Sequence, residues 1–161
     1  MKTVSPNVQQ DLNSLHPKQF ITFLQITIET DSAPVNFYLT DGETRTWKSI
    51  SWSNAPFYIS GISATGSGER SRPKVTIPND GGTFTYYVSK RYIEGATVTR
   101  YLVHPDDLAS GVALESVFYI AQISSLSGLS ITAELRSPSD GNNFVLPSRR
   151  YVQPEFPSVS L

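Results

Sequence analysis

The segment from Leu129 to Arg136 restricts the fold more than any other part of the chain. Leu129, Ile131, Ala133 and Leu135 alternate there with Ser130, Thr132, Glu134 and Arg136. A period of two sends successive side chains to opposite faces of a strand, so this strand should have one face in a core and one in water. An antiparallel sheet covered on one side meets that demand. The same period appears from Phe20 to Ile28, which places Phe20, Thr22, Leu24, Ile26 and Ile28 together. Ala96 to Val103 and Val117 to Leu126 are rich in β-branched and aromatic residues, which suit a pleated, half-buried surface. Ser127-Gly128 reads as a tight turn joining the last two strands.

Shorter strands are expected at Val35 to Leu39, Arg45 to Trp52, Pro56 to Ile62 and Lys74 to Ile77. Asp41-Gly42 and Asn79-Asp80-Gly81-Gly82 are turn signals between them. Pro73 and Pro78 bracket the fourth segment, which favours an edge position or short pairing. Two short helices break the pattern. Ser5 followed by Pro6 has the chemistry of a cap and first helical residue. Val8, Leu12 and Leu15 follow at helical spacing, and His16-Pro17 ends the run. Phe84, Tyr87 and Val88 can share one face of a helix over Thr83 to Lys90. Eight or nine short strands between turn signals indicate an all-β fold, either a β-sandwich or a partly open β-barrel, with one or two short helices. The expected division is an N-terminal arm with its helix at 1–19, a β domain at 20–138 and an extended C-terminal arm at 139–161. The Gly/Ser-rich stretch Gly61 to Gly68 reads as a loop. No internal repeat is found, and the shortage of helices argues against a doubly wound nucleotide-binding fold.

Composition excludes several functions. Charged residues make up 17% of the 161 residues, below the usual quarter. The formal net charge is -1, so no basic field is available to nucleic acid, and no nucleic-acid sequence recognition is expected. There is no cysteine, which rules out disulfides and thiolate metal sites. Met1 to Asn13 is polar and lacks the apolar run of a secretory signal. No apolar run approaches the roughly 20 residues of a membrane helix, so neither a membrane span nor export is expected, and synthesis is expected in the cytoplasm.

Candidate chemistry is sparse. Gly61 to Gly68 has glycines spaced as in a phosphate loop, but Ser67-Gly68 stands where the lysine and hydroxyl residue must be. The two histidines, His16 and His104, each precede a proline and have no zinc-site spacing. His104-Pro105-Asp106-Asp107 reads as a solvated turn rather than a catalytic group. Glu69, Glu94, Glu115 and Glu134 could supply a glycosidase pair only if the fold joined two of them. Asp140-Gly141-Asn142-Asn143 lacks the remaining oxygen ligands of a calcium loop. Trp47, Trp52, Phe57 and Tyr58 could stack on sugar rings if exposed, although core and interface packing is the more general use of such a cluster. Arg149-Arg150-Tyr151 is a small basic-aromatic group suited to anchoring an interface. The expectation is a non-enzymatic chain with no catalytic residue, metal ligand or cofactor.

The order of certain motifs adds a resemblance. Ile59 to Asn79 runs through a polar loop to Arg72-Pro73 and then a short strand carrying Val75 and Ile77 and ending at Asn79. A helix candidate follows, then Glu94-Gly95-Ala96-Thr97-Val98-Thr99-Arg100. Tyr119 to Ile123 and a hairpin to Leu135-Arg136-Ser137-Pro138 come next, and then Leu146-Pro147-Ser148-Arg149. Across Tyr58 to Tyr151 this resembles the minor tail protein L family of lambda-like long-tailed phages. The resemblance implies a virion protein of the tail tip, a β-barrel hub domain in a ring beneath the tail tube, and joining of tube to central tip protein. It implies a homo-oligomer, with a trimeric ring expected, and other tail-tip and tail-tube proteins as partners. The iron–sulfur cluster of the lambda member cannot be carried over, because this chain has no cysteine. On this reading Gly61 to Gly68 and the C-terminal arm are interface elements, and Arg70, Arg72, Arg149, Arg150 and Tyr151 are the candidate anchors. The alternative is a carbohydrate- or receptor-binding β-sandwich module of a phage fibre.

Overall fold

A computed structural model describes residues 5–12, 14, 18–60 and 72–138. Nine strands form one mixed sheet that does not close on itself. In chain order they are β1 (Ile21–Ile28), β2 (Val35–Thr40), β3 (Arg45–Trp47), β4 (Ile50–Asn54), β5 (Tyr58–Ser60), β6 (Lys74–Pro78), β7 (Thr97–Val103), β8 (Leu114–Leu126) and β9 (Ser130–Arg136). Their spatial order is β3-β4-β2-β1-β7-β8-β9-β6-β5. Every pairing is antiparallel except β2 with β4. Two α-helices accompany the sheet, α1 (Pro6–Asp11) and α2 (Thr83–Ser89). The all-β class expected from the sequence is the one observed.

The pairing register aligns the apolar faces. Leu24 and Ile26 lie opposite Leu39 and Phe37 on β2, and Ile26 lies opposite Val98 on β7. Val98 in turn faces Phe118, Ile120 faces Leu135, and Ala133 and Ile131 face Val75 and Ile77. These residues form the main core. In a flat sheet β2 and β6 would stand about 24 Å apart at the usual strand spacing. Here α2 begins just beyond β6, and its Phe84 ring lies 4.8 Å from the Phe37 ring of β2. The sheet therefore curls around its core, and α2 lies across the gap between the ends of the curl. Phe84 is buried, and Tyr87 and Val88 pack against the same core, as the helical spacing predicts.

A second, smaller core sits on the other face of β1 and β7. The segment Arg45 to Trp52, read from sequence as one strand, is instead the β3–β4 hairpin. Its turn residues Lys48 and Ser49 both have positive φ, at 52° and 62°. No glycine or asparagine marks that turn, so the usual hairpin signal is missing. The hairpin stacks Trp47 on Phe23 at 4.8 Å and brings Trp52 to 4.9 Å from the same ring. Strand β1 is thus covered on both faces: its even-numbered positions face the main core and Phe23 the smaller one. The architecture is one open, curled sheet with a local second layer.

Two further expectations change. Leu129 was expected in the core but is 80% exposed. It sits in the two-residue turn between β8 and β9, closed by the Ser127 N–H bond to the Ser130 carbonyl at 2.8 Å. The alternation therefore begins at Ile131. Strand β6 is not an edge, because it pairs with β9 on one side and β5 on the other. The short-pairing half of that expectation holds, since β5 contributes three residue pairs. The Gly61 to Gly68 loop and the proposed arm at 139–161 lie outside the described residues.

Candidate functional site

Of the anchor residues read from the sequence, only Arg72 lies among the described residues. Arg72 is exposed just before β6, beside Pro73, whose carbonyl accepts the Leu135 N–H at 2.7 Å. Arg70, Arg149, Arg150 and Tyr151 lie outside the described residues. The candidate sites are therefore those built by the sheet and its two helices.

The first lies where α1 meets the β7–β8 connection. Ser5 caps α1 as expected, with its hydroxyl oxygen 3.4 Å from the Val8 N–H. That hydroxyl also donates to Asp107 at 2.5 Å, and the Asn7 amide donates to the other Asp107 oxygen at 2.6 Å. Asp107 is buried at the end of a 3₁₀ turn, Pro105–Asp107. His104 is buried rather than solvated, against the sequence expectation, at 2% exposure. Its Nδ1 accepts the Asp106 N–H at 3.3 Å, which places the proton on Nε2, 3.3 Å from the Asp11 carboxylate. Lys18 donates its backbone N–H to Asp11 at 2.6 Å and pairs its ammonium with Asp106 at 2.7 Å. The Lys18 N–H, then His104, hold the Asp11 carboxyl below the usual carboxylate range. The Asp106 carboxylate raises the Lys18 pKa.

This cluster contains Ser, His and Asp but not the wiring of a nucleophilic triad. Such a triad needs the imidazole bonded to the hydroxyl and the carboxylate bonded to the imidazole. Here the Ser5 hydroxyl goes to Asp107, while the His104 Nε2 goes to Asp11. The arrangement holds a helix in place. Sequence reasoning found the Ser5 cap and missed the clasp, because its partners stand 93 to 102 positions apart.

The second candidate lies at the opposite end of the covered face. Asn79 is fully buried between β6 and α2. Its Oδ1 accepts the Phe84 N–H at 2.9 Å, and its amide donates to the Thr85 hydroxyl at 3.1 Å and the Ser127 carbonyl at 2.8 Å. Its own N–H reaches the Leu129 carbonyl at 2.8 Å. One side chain thus fastens α2 to the β8–β9 turn. Leu126 and Leu129 are exposed at that turn, and Tyr86 is exposed on α2. This end of the sheet therefore presents apolar groups to solvent.

The remaining chemistry candidates are engaged in structure. Trp47 and Trp52 are 2% and 1% exposed, so neither indole is free to stack on a sugar. Phe57 packs against the main core, and Tyr58 remains exposed on β5. Glu134 pairs with Lys74 at 3.3 Å and accepts from Gln122 and Ser124. Lys74, then Gln122 and Ser124, lower its pKa. Arg100 is half-buried on the covered face of β7, and its Nε has no hydrogen-bond partner among the described residues. Burial lowers its pKa, opposed by Asp41. Among the described residues, no three His, Asp or Glu side chains group to hold a metal ion, and no helix is long and apolar enough to cross a membrane.

No protein-family model matches the chain, and no curated protein matches it. Among solved structures, one described as the virion of a native gene transfer agent (GTA) particle contains a similar chain. The TM-score is 0.57 at 17% identity, over 84% of this chain and 46% of that one. This chain spans less than half the length of its structural neighbour. At that identity the likeness is one of fold.

Proposed function

We propose that this chain is a structural component of a phage-type virion, and within the particle a subunit of the tail tip. The observation that carries the proposal is the likeness of fold, over 84% of the chain, to a chain of a gene transfer agent virion. The finer assignment to the tail tip draws on the motif order from Tyr58 to Tyr151, which resembles the minor tail protein L family. On this reading the protein is not an enzyme. It forms a homo-oligomeric ring, trimeric by analogy with that family, and joins tail-tube to tail-tip proteins.

The physical properties suit that role. Few charged groups must be desolvated when such a surface packs against neighbours. Two cores and a helix fastened by a buried asparagine give a rigid block. The exposed Leu126, Leu129 and Tyr86 offer apolar contact at one end. The test is immunogold labelling of purified particles, with peptide mass spectrometry of the same preparation. Label at the distal tail end is expected. Label along the whole tail would make this a tube protein, and absence of the chain from particles would overturn the virion reading.

A further inference from the structure

Arg100 stands where the main core gives way to one end of the curl. In the pairing register it lies opposite Leu24 of β1 and Ser116 of β8, in one row with Leu39 of β2. Val98 and Leu102, two positions to either side, share its face of the strand. Val98 belongs to the main core, so the Arg100 stem starts on apolar ground and carries a charge out of it. Strand β9 pairs with β8 only from Tyr119 onwards. Among the described residues, no strand continues the row of Arg100 beyond Ser116.

The guanidinium is held at that end without a partner. Its Nε is shut off from solvent, whereas its two terminal nitrogens are not. None of the three makes a hydrogen bond or ion pair with a described residue. Asp41 is near enough to act on the charge, but its carboxylate is held to β1 by the Thr22 N–H at 3.1 Å. Elsewhere on the sheet Lys18 pairs with Asp106 at 2.7 Å and Lys74 with Glu134 at 3.3 Å. A partly buried charge left unpaired costs stability. A local rule broken at such a cost marks a site that something else completes.

A guanidinium with a buried stem is pre-organised for a planar anion that offers two oxygens. Asp41 offsets part of the positive charge, which favours a singly charged carboxylate over a doubly charged phosphate. We infer that Arg100 is the receptor for a carboxylate side chain of a neighbouring protein, docked at this end of the curl beside Ser116. The inference stands on the geometry of this row and is independent of the virion reading.

The test uses the purified full-length chain, with sodium acetate as the probe and sodium chloride at equal ionic strength as the control. The Nε–H resonance of Arg100 is assigned by its absence from Arg100→Lys. Acetate should move it along a saturating curve, half complete at about 10 mM for one charge-assisted contact. No movement, or equal movement with chloride, would overturn the inference, as would a tighter response to inorganic phosphate. The blocked peptide acetyl-Leu-Glu-Leu-amide should bind more tightly than acetate, since its leucines can cover the half-buried Leu39 and Leu102. No gain over acetate would make the ligand a small acid and sink the docking of a neighbour. Arg100→Met, which keeps the apolar stem and removes the charge, should leave the urea midpoint of the isolated chain equal or higher. A fall would make Arg100 a support of its own subunit and overturn the inference.

Discussion

Two single side chains carry more of the architecture than their neighbours suggest. Asn79 joins β6, α2 and the β8–β9 turn, so Asn79→Ala should cost about 2–3 kcal/mol, because it strands the Phe84 N–H and the Ser127 carbonyl. Urea melts would measure that loss. Asp11 carries a pH dependence whose sign follows from its environment. Its carboxyl is held below the usual range by the Lys18 N–H and by His104. A carboxyl depressed in the folded state contributes stability above its unfolded value, and the contribution vanishes as pH falls through the folded value. Exchange protection of residues 5–12 should thus be complete at neutral pH and be lost below about pH 4. Asp11→Asn should weaken the clasp at neutral pH and flatten part of the acid step. Of these residues, the sequence identified Ser5 as a cap and Asn79 as a turn residue. It could not reveal that Asn79 bonds to Ser127 or that His104 is buried, because those facts depend on which distant strands become neighbours.

At the scale of elements, legibility followed the strength of local signals. Strands β1, β2, β7, β8 and β9 were readable because periodicity and β-branched composition agreed, whereas α2 was readable only from the helical spacing of Phe84, Tyr87 and Val88, against a composition that favours strand. The β3–β4 hairpin was hidden because Lys48 and Ser49 occupy a left-handed turn without the residues that favour it. The strained turn can be improved. Ser49→Gly should stabilise the protein by about 0.5 kcal/mol, because relief of the positive φ outweighs glycine's greater unfolded-state freedom. The urea midpoint should rise with the slope unchanged. Lys48 is the poorer position to alter, since its ammonium lies 4.5 Å above the Trp47 ring. The hairpin earns its place by covering Phe23. Trp52→Ala should cost about 3–5 kcal/mol, as other large core truncations do, read in the same melts. The interface arginines were a different matter: nothing in their spacing shows which surface they occupy, and of the five anchors only Arg72 falls within the described residues.

For the whole molecule, both tryptophans report on the fold. Buried in the smaller core, they should emit at short wavelength and resist quenching by iodide until the protein unfolds. Added sugars should leave the emission unchanged, whereas a glycan-dependent shift would contradict the burial of both rings. The class of fold was legible early, because alternation in Leu129 to Arg136 and its companions demands a sheet. Its curl stood only as one of two alternatives, sandwich or partly open barrel, since curvature arises from pairing and from α2 meeting β2 across the gap. That curl has a geometric consequence. The space within it is filled by Leu24, Ile26, Val98, Ile120, Ile131 and Leu135, so the domain is a solid stave and not a pipe. Any bore through an assembly of such staves must be walled by their outer surfaces, and its width would be decided by how many stand around the axis.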